Sequence, residues 1–155
     1  MVRFLIALSV LLLVLPACSS SALDREAPEN WLRYSVADGP PRADMLAACR
    51  WALNDAGFPP GEVDLVSGEV ISGWDNKLHV FSGKGTRQQA VLRVEKGDRP
   101  EAWLVWIQVL VQANQEIHRP YEIQEADWED AGFDRKRARI IQEHLRIRVE
   151  PIPRR

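Results

Sequence analysis

Residues 101–114 constrain the fold more than any other stretch of this chain. From Glu101 to Asn114 the side chains alternate. Trp103, Val105, Ile107, Val109, Val111 and Ala113 fall on one side, and Leu104, Trp106, Gln108, Leu110, Gln112 and Asn114 on the other. A period of two makes this a β-strand, and the first side is apolar along its whole length. A face of that kind must be buried against a second layer. The other side carries Leu104, Trp106 and Leu110, more apolar than a fully solvated face requires, and turns polar towards its C-terminal end.

The remaining elements supply the sheet and the cover. Arg42 to Ala56 reads as a helix, with Leu46, Cys49, Leu53 and Ala56 on one stripe and Gly57 as its stop. Three more strands precede the long one. Gly61 to Leu65 is followed by a turn at Ser67-Gly68, and Glu69 to Trp74 by a polar break at Asp75-Asn76-Lys77. Thr86 to Glu95 turns Ala90, Leu92 and Val94 one way and Gln89, Val91 and Arg93 the other. Trp31 to Val36 reads as a short edge strand or an extended segment, Ala126 to Ala131 as a helical turn anchored by Trp128. Phe133 to about Arg146 is a second helix capped by Asp134, with Ala138, Ile141 and Leu145 on its apolar stripe. The expected fold is α+β: a two-layer sandwich in which a four-stranded antiparallel meander carries the N- and C-terminal helices on one face. Leu46, Leu53, Ile141 and Leu145 are expected to meet the odd-numbered side of the long strand.

The N-terminus sets the location. Arg3 precedes a nearly unbroken apolar run from Phe4 to Leu15, which ends in Pro16, Ala17 and Cys18 and then three serines. As a helix the run is roughly 18 Å long, against a hydrocarbon core of about 30 Å, so it is short for a span. A basic residue, a short apolar core and small residues describe a secretory signal. On residues alone, an ordinary signal cut near Ala17 or Ser21 and a short buried helix remain open. Leu15-Pro16-Ala17-Cys18 resembles the lipobox of bacterial lipoproteins. That resemblance implies cleavage between Ala17 and Cys18 and acylation of Cys18. With Ser19 next, it implies an outer-membrane protein facing the periplasm.

The expected organisation is a signal peptide over 1–17, a lipidated tether over 18–30, one domain over 31–150 and a loose tail over 151–155. The chain has 20 basic and 22 acidic side chains, a formal charge of −2, and losing Arg3 with the leader makes the remainder slightly more acidic. This mild balance argues against a nucleic-acid-binding surface. With Cys18 acylated, Cys49 is the only thiol left, and its place on a helical stripe makes it a small core residue.

No constellation for catalysis stands out. His79, His118 and His144 lack ligand spacing, so no metal or cofactor is expected. Ser82-Gly83-Lys84-Gly85-Thr86 lacks the spacing of a phosphate loop and leads into a strand. Two surfaces are candidates for partner binding. One is the Leu104, Trp106, Leu110 patch, which a partner protein or the segment around Trp31 would cover. If a partner covers it, Trp106→Glu is expected to abolish capture and leave the fold intact. The other is the basic cluster with Arg135 and Arg137, which reads as a lipid-headgroup contact, an acidic-partner contact or a solvated helix face.

The run Ala52-Leu53 to Ala56-Gly57-Phe58, then Asp64 and Gly68 to Trp74, is similar to the helix-grip domains of outer-membrane-assembly lipoproteins and to other envelope lipoproteins of this size. The resemblance covers about 25 residues, and it implies non-catalytic binding or scaffolding. The expected function is therefore a membrane-anchored binding module that is not an enzyme. The alternative is an envelope enzyme whose site, around His79, Asp75 and Asp64, assembles only in three dimensions.

Overall fold

The computed structural model describes residues 29–78, 85–116 and 122–150. The leader, Cys18, His79, His118, Ser82 to Lys84 and the tail lie outside the described residues. In chain order the elements are β1 (Leu32–Val36), α1 (Arg42–Asp55), β2 (Glu62–Asp64), β3 (Glu69–Ile71), β4 (Asp75–Lys77), β5 (Thr86–Lys96), β6 (Trp103–Asn114), β7 (Trp128–Phe133) and α2 (Arg135–Val149), with a 3-10 turn at Ile123–Glu125 before β7.

The class is α+β, but the sheet has seven antiparallel strands rather than the expected four. The meander β2-β3-β5-β6 is present, and three short strands extend it. β4 continues where β3 leaves off: β3 pairs with Arg93 to Val91 of β5, and Asp75 to Lys77 with Gln88 to Thr86. The supposed polar break at Asp75 to Lys77 is therefore a strand, separated from β3 by Ser72, Gly73 and Trp74. The Ser72 hydroxyl accepts from the Ala90 amide at 2.9 Å. On the far side of β6, two strands lie end to end. β1 pairs with Trp103 to Ile107, and β7 pairs with Leu110 to Asn114 across a bulge at Val111/Gln112. Trp128 thus anchors a strand and not a helical turn. The reason is β6 itself: at twelve residues it leaves a row of backbone donors and acceptors that two short strands satisfy.

Both helices contribute to one apolar cluster with the odd-numbered side of β6. Leu46, Leu53, Ile141 and Leu145 meet Trp103, Val105, Ile107 and Val109 there, as the alternation requires. α1 ends as its sequence dictates. Gly57 has φ +82°, its amide donates to Asn54, and the Phe58 amide donates to Leu53, both at 3.0 Å. This is the Schellman closure, with buried Phe58 and Leu53 as its apolar contact. α2 starts at Asp134, whose Oδ1 accepts from the Lys136 and Arg137 amides at 3.0 Å. That satisfies two of the amides a helix N-terminus leaves open.

Candidate functional site

The sheet face opposite the helices is where the alternation of β6 placed the first candidate patch. Leu104 and Trp106 do lie on that face, but they are 2% and 4% exposed, while Leu110 is half-buried. Register explains part of the cover. Trp106 stands opposite Arg33 of β1 and Arg93 of β5. The Arg93 guanidinium lies 4.9 Å from the centre of the Trp31 ring, while its Nε donates to Glu69 Oε1 at 2.6 Å. The segment around Trp31 is thus brought onto the outer face. Trp106→Glu would put a carboxylate in a buried position, so this substitution is expected to destabilise the fold instead of leaving it intact.

Towards the other end of the same face, Arg87 lies between two indoles, 4.1 Å from the Trp74 ring centre and 4.6 Å from that of Trp128. Its Nε donates to Gln112 Oε1 at 2.7 Å, and Gln112 Nε2 donates to Asp130 Oδ1 at 2.8 Å. Desolvation lowers the Arg87 pKa. Phe133, opposite Leu110, remains 41% exposed. The accessible part of the patch is therefore the Leu110–Phe133 edge. Sequence reading missed this arrangement because Trp74, Arg87 and Trp128 come from three separate segments, one of which was expected to be a helical turn.

The two arginines of the basic cluster have different fates. Arg137 ties α2 to the sheet and to the end of α1. Its Nη1 pairs with Asp75 Oδ2 at 2.5 Å and donates to Gln88 Oε1 at 2.7 Å. Its Nη2 donates to the Ala56 carbonyl at 3.2 Å, and the guanidinium lies 4.1 Å from the Phe58 ring centre. Arg135 is exposed on the outer surface of α2.

Of the groups weighed as an alternative centre, the two that lie among the described residues, Asp75 and Asp64, do not converge. Asp75 belongs to the Arg137 clasp. Asp64 closes the β2–β3 turn, accepting from the Val66 amide at 2.8 Å, and its carboxyl is held below the usual range first by the Ser67 hydroxyl and then by the backbone amides. Asp64 pairs with Glu69, which lies opposite Arg93, while Asp75 lies opposite Gln88. Five residues along β5 separate them by roughly 17 Å. His144 Nδ1 meets Asp55 Oδ2 at 2.5 Å beside Trp51 and links the two helices. Cys49 is fully buried, and desolvation pushes its thiol up to about 12. Among the described residues, no three acidic, histidine or cysteine side chains group in a way that could hold a metal ion.

A cavity of about 120 Å³ opens beside Leu104, between the end of β1 and the β5–β6 turn, with Val36, Ala102 and Trp103 in its wall. A larger cleft, about 470 Å³, runs between the helices past Trp51 and Arg148. No helix among the described residues is long and apolar enough to cross a membrane. Scanned against protein-family models and searched against curated proteins, the chain matches none.

Proposed function

We propose that the chain is a membrane-anchored, non-catalytic binding or scaffold module of a bacterial cell envelope. Lipid on Cys18 holds it at the outer membrane, facing the periplasm, and the outer sheet face receives an envelope protein. The observation that carries the reading is the short apolar run closed by Leu15-Pro16-Ala17-Cys18, with the domain beginning only 13 residues later at Trp31. Acyl chains supply about 0.8 kcal/mol per buried methylene, so a multiply acylated cysteine is a durable anchor. The outer face supports the second half of the reading. Its tryptophans and arginines are held in fixed stacks, and the Leu110–Phe133 edge is left as an apolar contact.

The test is palmitate labelling of the full chain followed by crosslinking in intact cells. Wild type is expected to take up label and fractionate with the outer membrane, and Cys18→Ser to do neither. Phe133→Glu, at an exposed position, is expected to keep the label and the fold while losing the crosslinked partner. Unlabelled wild type would refute the anchor, and unchanged crosslinks in Phe133→Glu would refute the binding edge.

A further inference from the structure

The outward surface of α2 carries a combination that a merely solvated helix does not need. Lys136, Arg139, Ile140, Glu143 and Ile147 follow helical spacing on the side opposite the buried Ala138, Ile141 and Leu145. Ile140 is 48% and Ile147 59% exposed, so two large aliphatic side chains about two turns apart stand in solvent. Arg135, Lys136 and Arg139 gather at the N-terminal end. The single acid on this stripe, Glu143, is met by Arg146, whose Nη2 lies 2.8 Å from its Oε2. The acid next to this cluster, Asp134, is engaged as the helix cap, accepting from the Lys136 and Arg137 amides and from Gln88, and on β7 Asp130 accepts from Gln112.

The path of the chain points to what this surface meets. β1 begins with Leu32 opposite Ile107, and the Asp134 amide at the start of α2 donates to the Val109 carbonyl at 2.9 Å. The N-terminal segment therefore joins the sheet two residues along β6 from the basic end of α2. From Cys18 to Trp31 the chain reaches at most about 45 Å. A lipid on Cys18 would therefore keep the basic end of α2 within reach of the bilayer, at a distance bounded by that length.

We infer that the outward face of α2 docks on an anionic phospholipid surface, with Arg135, Lys136 and Arg139 at the phosphates and Ile140 and Ile147 entering the acyl boundary. This rests on the anchoring reading and deepens it. The lipid holds the domain nearby, and α2 fixes which side faces the membrane and which side, the outer sheet face, remains open to a partner. Basic residues near an anionic surface strengthen attachment roughly fivefold each, and interfacial helices combine that attraction with buried apolar area.

The test uses the full chain, purified from envelopes and reconstituted in vesicles. A keto amino acid placed at position 147 carries an environment-sensitive dye, so labelling does not depend on either cysteine. In vesicles with about one third phosphatidylglycerol the dye is expected to shift to the blue and to be quenched by brominated acyl chains. In phosphatidylcholine alone both signals are expected to fall at least about tenfold, and the triple change Arg135→Gln, Lys136→Gln, Arg139→Gln should cause a similar loss in anionic vesicles. Circular dichroism of the triple variant is the control for folding, and a wild-type spectrum is expected. Equal signals in neutral and anionic vesicles would overturn the charge recognition. No signal in either would overturn the docking and leave the basic face to an acidic protein. Intact mass of the same sample reports acylation of Cys18 separately. An acylated chain without the dye shift defeats the docking alone, and an unacylated chain that shifts in anionic vesicles defeats the anchor alone.

Discussion

The two faces of the sheet are buried by different means. On the inner face, Val105, Ile107 and Val109 meet Leu46, Leu53, Ile141 and Leu145 from two helices, a conventional apolar layer. On the outer face no described helix lies over Trp106. There the cover includes long polar side chains and indoles, with Arg93 over Trp31 and Arg87 between Trp74 and Trp128. An arginine stem buries apolar area while its guanidinium stacks on a ring and keeps its hydrogen bonds. The inner face is thus defined by volume and the outer face by orientation. An outer face of this kind can be stable and still present polar groups to a partner.

The sharpest way to break this contrast is to treat the outer face as ordinary surface. Trp106→Glu removes a buried indole and places a carboxylate beside Leu104, so a loss of about 4 kcal/mol is expected in urea unfolding, on the scale of large-to-small core changes. Leu145→Ala on the inner face should cost a similar amount, about 3 kcal/mol. A loss below about 1 kcal/mol for Trp106→Glu would mean that the outer face is not a second core and would restore Trp106 as a free contact residue.

Arg137 stands at the margin of the inner face, where it ties α2 to Asp75, Gln88 and the end of α1. Its removal leaves Asp75, a partly buried carboxylate, with Lys77 at 3.7 Å as its remaining ion-pair partner. Arg137→Ala is therefore expected to cost about 2 kcal/mol, between the values for surface and buried pairs. Arg135→Ala, two residues away and exposed, should be within about 0.5 kcal/mol of wild type. Equal effects would remove the distinction between a structural and an available arginine.

The inner face also makes a pH prediction. Burial pushes the Cys49 thiol up to about 12 from its ordinary 9.0. Between these values the unfolded chain releases the proton and the folded chain keeps it. Stability linked to Cys49 is then complete below about pH 9 and falls as pH rises, by about 1.4 kcal/mol per unit. Cys49→Ala should flatten that part of the profile between pH 9 and 11. An unchanged slope would show that the thiol is reached by solvent, as would rapid reaction with a thiol reagent at neutral pH.

What was legible in the sequence follows the same contrast. Apolar periodicity located α1, α2, β5 and β6 and the residues of the inner core, because burial of volume leaves a regular trace. Asp134 and Gly57 were legible as helix ends for a similar reason, since each solves a local backbone problem. The short strands were harder. Asp75 to Lys77 and Trp128 to Phe133 carry polar or glycine-containing sequences, and they are strands because β5 and β6 offer them hydrogen bonds. The outer-face stacks left still less trace. Arg87 meets Trp74 and Trp128 only once β4, β5, β6 and β7 are in register.

That register gives the smallest loss expected from a side chain the fold holds in place, and the most specific one. Arg87→Ala removes contact with both indoles and leaves Gln112 held by Asp130 alone, and a loss of about 1 kcal/mol is expected. Arg87→Lys keeps the charge but not the plane that fits between two rings, and should recover less than half of it. The readout is the tryptophan emission of the folded protein as well as its unfolding midpoint. Released indoles should shift emission in both variants, whereas Arg93→Ala should act on Trp31 independently and add to Arg87→Ala without coupling. If Arg87→Lys matched wild type in both measurements, charge alone would explain the pair of stacks, and the outer face would be organised by electrostatics instead of by planar packing.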